Sequence, residues 1–473
     1  MRGGIRLWAA LAWVWLLYTG TQAAEYDGFL VKLDPGPQPY AVETAFPNLR
    51  EVAPEQGLWQ TGDLSDVEQM VERGLLEYAE PNYRVTLDDP VEDPALRGAR
   101  VLDVSEFGWH WSAMEADYAW EHGITGQGVR VGVIDSGIYA DHEDFAGVKI
   151  VPGVNYCVSE GDRRRSDTSD TLGHGTFVSG LLAAGINGCG IAGLAPEVEL
   201  VPLKCFEGKN GSVANVIQAI YGGVDTFHCQ VLNLSLGIAQ PSPSLRGAIA
   251  HAAQEQVILT AAAGNLTAGS HGTNGDPLLY PAAYEECIGV GAVTSALEAA
   301  SFSYRNASVW VCAPGSGLKG LSLYGGYAVG GGTSYASPLI AAAAVLARSV
   351  KPDLTIAQFQ ALLRDTARDL GASGYDTTYG WGLVNIGQLL AVLRGDTAYQ
   401  AASRARLMAA DGALTFLTAY NEKGKLLYID YVRDSGGIQT PQVQEAALWK
   451  LFSLDPDTFT PLAPAVLLSG ETS

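Results

Sequence analysis

Short, continuous apolar runs separated by helix-length segments fill the middle of the chain, the texture left by strands that are buried on both faces. The runs lie at 129–134, 199–203, 231–235, 257–261 and 287–291. They predict a parallel sheet, because parallel neighbours need long crossovers, and crossover helices cover both faces. Segments 212–221 and 244–255 read as two of those helices. Thr355 followed by Gln358 is a capping-box start for a helix ending near Arg368.

The two ends of the chain have other rhythms. Residues 29–33 read as a strand, 63–73 as a short amphipathic helix and 75–83 as a strand running into a turn, which together make a small α+β unit. Residues 88–100 are rich in Asp, Pro and Arg and have the composition of an exposed, cleavable linker. Beyond Leu393 the pattern alternates: 414–420 and 426–432 read as a hairpin about a turn at 421–424, in a separate small all-β domain. At the start, Arg2 and Arg6 precede an apolar run over 7–18, with small residues up to Ala23. This is the pattern of a secretory signal peptide cut after Ala23, and the run falls short of the roughly 20 residues needed to span a bilayer. The expected organisation is a signal peptide over 1–23, the α+β unit with its linker over 24–100, an α/β domain over 101–395 and a β domain over 396–473.

Composition narrows the reading little. With 473 residues, 47% of them hydrophobic, the chain is long enough for one large core and smaller modules. The formal charge of -22 would repel nucleic acid, and no later run is long enough for a membrane span. The expected mature protein is a soluble monomer. Six cysteines allow 15 pairings in an exported protein. Cys205, Cys229, Cys287 and Cys312 sit in or beside apolar runs, which favours unpaired, buried thiols, whereas Cys157 and Cys189 do not. No Cys/His spacing suggests zinc, and no metal ligand is assigned.

Three segments place reactive residue types where chemistry can use them. Asp135 closes the run Val131-Gly-Val-Ile134, so its carboxylate projects from the carboxyl edge of the sheet, where ligands collect in open α/β folds. His174 stands between Gly173 and Gly175, which let the backbone turn sharply into a helix. Those glycines also remove side chains that would bury the imidazole, so it is expected to face a cleft. Ser334 lies in Gly331-Gly-Thr-Ser-Tyr-Ala-Ser-Pro338, ahead of a small apolar helix over 339–347 that Pro338 would open. Taken singly, each also fits a capping or structural role.

Together, Val133-Ile-Asp135-Ser-Gly137, Gly173-His-Gly-Thr176 and Gly332-Thr-Ser-Tyr-Ala-Ser-Pro338 resemble the three catalytic blocks of the subtilisin family, in the same order. The likeness runs over about residues 109–393. It includes Asn233-Leu-Ser-Leu-Gly237, Ala261-Ala-Ala-Gly-Asn265 and Tyr379-Gly-Trp-Gly382. It implies a subtilisin-like α/β fold and a secreted serine endopeptidase. In it Ser334 attacks the scissile carbonyl, His174 moves the proton, Asp135 orients the imidazole and Asn265 donates to the oxyanion. Backbone of Ser235, Leu236 and Gly237, with Ala262, Ala263 and Gly264, would bind an extended protein or peptide substrate. The amino-terminal unit, through Leu76-Glu-Tyr-Ala-Glu-Pro-Asn-Tyr83, resembles the inhibitor-like propeptide of such enzymes, a partner that the enzyme itself cuts off. No cofactor is required; relatives often carry structural calcium, but no loop here is diagnostic of it.

Two positions depart from the family pattern: Phe177 replaces a common second His, and Tyr335 replaces a common Met after the nucleophile. The second would set a bulky ring beside Ser334 and bear on the leaving group. An α/β-hydrolase esterase would need a Gly-x-Ser-x-Gly elbow ahead of its acid and histidine, whereas here the serine comes last and Ala336 replaces the final glycine. An inactive adhesion protein would not need all four catalytic residue types.

Overall fold

The computed structural model describes residues 26–34, 42, 45–87, 108–266, 272–323, 325–400 and 403, and the backbone of four strands between 414 and 469. The expected signal peptide and the linker over 88–100 lie outside the described residues.

The α+β unit consists of strands β1 (Tyr26–Leu33), β2 (Arg50–Ala53) and β3 (Leu58–Thr61), helix α1 (Leu64–Glu72) and strand β4 (Leu76–Thr86). Its helix starts where Asp63 accepts from the Ser65 N–H, and it buries Val67 and Met70 against Val31 and Trp59 of the sheet. The expected helix and the strands β1 and β4 are present; the β2–β3 hairpin was not visible in the apolar pattern.

The α/β domain forms as its apolar runs predict. Its strands are β5 (Arg130–Asp135), β6 (Lys149–Ile150), β7 (Val154–Asn155), β8 (Glu199–Lys204), β11 (Val231–Leu234), β12 (Ile258–Ala262), β13 (Cys287–Val293) and β14 (Val311–Pro314). All pair in parallel, in the order β14-β13-β12-β11-β5-β8-β6, with β7 also on β8. Helices α2 (His174–Ala183) and α5 (Thr333–Val350) cover one face; α3 (Val213–Tyr221) and α4 (Pro243–Gln254) cover the other. Ser212 and Ser242 cap α3 and α4, and Thr355 and Gln358 form the expected capping box of helix α6 (Ile356–Thr366). Helix α5 is enclosed almost throughout, its alanines allowing close approach to the sheet. The chain order reverses between β5 and β11, so the crevice of this sheet opens at their carboxyl ends.

Between β8 and α3, strands β9 (Phe206–Glu207) and β10 (Asn210–Ser212) form a hairpin, and β10 pairs with β4 through Gly211↔Val85. The amino-terminal sheet therefore runs on into the α/β domain, in the order β2-β3-β1-β4-β10-β9. A further hairpin, β15 (Leu318–Leu321) and β16 (Tyr327–Gly330), packs beside α2. At the end of the chain β17 (Leu414–Tyr420), β18 (Leu426–Val432), β19 (Leu448–Leu454) and β20 (Val466–Ser469) form an antiparallel sheet in the order β18-β17-β19-β20, which includes the β17–β18 hairpin that the alternation predicted. All six cysteines are free, and the four in or beside apolar runs are buried.

Candidate active site

Asp135 is the last residue of β5, and His174 the first of α2. Gly173 caps the helix with φ 95°, a conformation that favours glycine, and a Cβ on Gly175 would lie 2.2 Å from the Gly137 carbonyl oxygen. Glycine at both places lets the helix start press against the strand end. His174 Nδ1 consequently lies 2.8 Å and 3.0 Å from the two Asp135 carboxylate oxygens. A carboxylate only accepts, so Nδ1 carries the hydrogen and Nε2 keeps its lone pair. Asp135 also accepts from the Ser136 N–H at 2.7 Å.

The imidazole was expected to face a cleft with little around it. Instead Asp135 is 1% and His174 2% exposed. A distant residue, Tyr335, packs beside the ring, 5.5 Å away centroid to centroid. Neighbouring glycines could not reveal that contact.

Asp170, which no motif marked, holds this half of the site together. Its Oδ1 accepts from Ser136 Oγ and the Leu172 and Gly173 N–H groups at 2.8–2.9 Å; its Oδ2 accepts from the Thr176 N–H and hydroxyl at 2.9 and 2.6 Å. Ser136 Oγ in turn accepts from the Gly175 N–H at 2.9 Å. Hydrogen bonds to a charged group contribute about 1.5–3 kcal/mol each, so this buried carboxylate fixes the turn that delivers His174. Its position three residues before Gly173 was the available signal, since Asp commonly caps helix starts.

Ser334 lies in the first turn of α5. The helix was expected to begin at 339 behind Pro338, but it begins at Thr333, and Pro338 falls inside it. Proline has no N–H to give the carbonyl four residues back, which is that of Ser334. The Ser235 hydroxyl donates to this carbonyl instead, at 2.6 Å, and Asn233 Nδ2 donates to Ser235 Oγ at 2.9 Å. A helix interruption thus ties the serine to the end of β11.

Asn265 follows β12. Its Oδ1 accepts from the Thr333 N–H at 2.8 Å and the Thr333 hydroxyl at 3.0 Å, while Thr333 Oγ1 accepts from the Gly264 N–H at 3.1 Å. With its oxygen occupied, the amide turns Nδ2 toward the start of α5, 3.4 Å from where a Gly332 Cβ would stand. Thr333 belonged to a recognised block, yet its two-way role was missed because it depends on α5 meeting β12.

Ser235, Leu236 and Gly237 continue β11, and Ala262 closes β12 with Ala263 and Gly264 just beyond it, so the two expected substrate segments leave the carboxyl ends of neighbouring parallel strands. Leu279 packs against both: Cβ atoms built on Gly237 and Gly264 would lie 3.3 Å and 2.5 Å from its Cδ1. Tyr335 does not crowd the opening. Tyr335 is 3% exposed, and its ring packs inward on Phe177, 4.3 Å between centroids.

Glu143, Asp144 and Cys189 are grouped closely enough to share a metal ion. Asp144 already accepts from the Ile191 N–H at 2.8 Å and the Tyr327 hydroxyl at 3.1 Å, and Cys189 Sγ offers a soft donor. Calcium selects free, hard oxygens, so this donor set does not fit it.

A model of the subtilase family matches residues 126–382. Subtilisin Savinase of Lederbergia lenta is 37% identical over 284 residues, 59% of this chain and 96% of that protein. Subtilisin DY of Bacillus licheniformis is 38% identical over 277 residues, 58% and 94% of the two chains. The minor extracellular protease Epr of Bacillus subtilis strain 168 is 32% identical over 348 residues, 73% of this chain and 50% of Epr, so the chain spans half the length of that relative. With a parallel sheet of eight strands, and with the family's blocks at its carboxyl edge, the chain belongs to the subtilase family and is a serine endopeptidase of the subtilisin type.

Proposed function

We propose that this chain is a secreted protease made as a self-processing precursor, with Asp135, His174 and Ser334 as its triad and Asn265 as its oxyanion donor. The buried Asp135–His174 pair carries the reading: with Nδ1 held on the carboxylate, the neutral imidazole offers Nε2 as a base. In the reaction Ser334 Oγ gives its proton to His174 Nε2 as it attacks the peptide carbonyl. Asp135 stabilises the imidazolium that forms, and the leaving amine then takes the proton. Asn265 Nδ2 donates to the oxygen as negative charge develops on it. Backbone of residues 235–237 and 262–264 binds an extended peptide with little regard for sequence.

The amino-terminal unit, residues 24–100 with the linker, acts as the inhibitor and folding partner. Its contacts support this. Glu80 Oε1 accepts from the Ser244 N–H at 2.9 Å at the start of α4, and Asn82 Oδ1 accepts from the Ala214 N–H at 3.0 Å at the start of α3. Capping two neighbouring helices and adding β4 to β10, over an apolar seam where Leu30, Val52 and Val85 meet Val213 and Ile217, makes a specific interface. The carboxyl-terminal region, 396–473, with its sheet of four strands, acts as an accessory domain.

Expression in a protease-free host tests the reading. Wild type should lose about 8–10 kDa beyond the signal peptide, through a cut in the linker. Ser334→Ala should stay at precursor length and fail to digest casein. Identical trimming of the mutant would overturn self-processing, and retained hydrolysis would overturn the triad.

A further inference from the structure

Two helices bring the base and the nucleophile together, and one ring touches both sides. Helix α2 carries His174 and Phe177, three residues apart and therefore on one face; α5 carries Ser334 and Tyr335. The Tyr335 ring lies 5.5 Å from the His174 ring and 4.3 Å from the Phe177 ring, tilted 34° to each. Behind them the β15–β16 hairpin leaves no slack. A Cβ on Gly330 would lie 2.6 Å from Tyr335 and 3.0 Å from Phe177, and one on Gly320 would lie 2.6 Å from Phe177.

A hydrogen bond at one edge does not orient a ring completely. Asp135 holds Nδ1, and any tilt of the imidazole about that contact would carry Nε2, at the far edge, with it. A second ring packed against the imidazole limits that tilt. We propose that Tyr335, braced by Phe177 and by the glycines of the hairpin, is a positioning residue that sets the tilt of His174 toward Ser334. Its ring centroid also lies 5.5 Å from that of an imidazole that becomes cationic as the serine reacts, so attraction between ring and cation would grow in the transition state. The two departures from the family pattern are thus one packed pair.

This inference rests on the triad reading, and the test separates the two. Full-length wild type, Tyr335→Leu, Tyr335→Phe and Phe177→Leu are matured, titrated with a serine-reactive phosphonyl inhibitor, melted, and assayed on a peptide amide. Tyr335→Leu should lower kcat per titrated site about tenfold, the scale of one aromatic contact, with KM within about twofold. Tyr335→Phe should restore kcat, and Phe177→Leu should show a smaller loss of the same kind. Wild-type kcat in Tyr335→Leu would overturn the proposal, as would a Phe variant as slow as the Leu variant or a loss confined to melting temperature. If Tyr335→Leu does not fold, Phe177→Leu decides by the same criterion. Wild type that neither titrates nor hydrolyses would defeat the triad reading instead.

Discussion

Asp135 and His174 lie beneath the surface, 1% and 2% exposed, whereas Ser334 and Asn265 are half-buried. Their supports differ in the same way. A single charged hub, Asp170, gathers the turn around His174 with five hydrogen bonds. Neutral groups hold the open half: Thr333 on Asn265, and Ser235 on the Ser334 carbonyl. A proton relay gains from a dry setting, where attraction between imidazolium and carboxylate is weakly screened. A nucleophile must meet a peptide arriving from water, and a charged support there would compete with the developing oxyanion. The division teaches that damage to the closed half should change chemistry alone, while damage to the open half can change chemistry or substrate choice.

The largest effect should come from the closed half. Asp135→Asn removes the carboxylate that fixes the Nδ1–H tautomer, and kcat should fall about 10⁴-fold with KM nearly unchanged, measured per titrated site. A loss under about tenfold would mean that the buried pair is only structural.

In the open half, Asn265→Ala should lower kcat about 10²–10³-fold and spare KM, a size taken from subtilisin itself. If Asn265 merely shapes a turn, melting temperature will fall while kcat stays within about threefold of wild type. Leu279→Ala should act on substrate choice alone. The side chain next to the scissile carbonyl must enter the crevice beside Asn265, which Leu279 partly fills. The kcat/KM ratio for Phe over Ala at that substrate position should rise about tenfold. An unchanged ratio would place that side chain elsewhere.

The smallest effect lies outside both halves. Burial pushes the Glu80 carboxyl up from its ordinary value, against the hydrogen bonds from Ser244, and its Oε2 is buried without a partner among the described residues. A pKa raised in the complex means that the contribution of Glu80 to docking is complete below the ordinary carboxyl range and is lost as pH rises through the raised value. The isolated amino-terminal unit should therefore inhibit the mature enzyme better at acidic pH. Glu80→Gln, which keeps an acceptor but cannot ionise, should flatten that dependence and strengthen inhibition at neutral pH. Inhibition that weakens on acidification in wild type would reverse the sign.

Much of this was legible in the chain. Each long apolar run became a strand, because a strand buried on both faces must be apolar throughout. The Asp, His and Ser segments were marked by the glycines that let backbones approach. What escaped was made by contacts between distant segments. The two-residue strands β6 and β7 carry no periodicity, and the β4–β10 pairing joins residues more than a hundred positions apart. The start of α5 was misplaced because proline usually opens a helix, while here the lost hydrogen bond is replaced by Ser235. Asp170, Thr333 and the ring beside His174 become functional only once α2, α5 and β12 meet.

The central claim is that Ser334 is made reactive by the Asp135–His174 pair. Titrating mature wild type and His174→Ala with a phosphonyl inhibitor, and mapping the label by peptide mass, tests it directly. One label per wild-type molecule at Ser334, casein hydrolysis lost in step with labelling, and no label in His174→Ala are the predicted result. A label on another residue, or equal labelling of Ser334 without His174, would contradict the account.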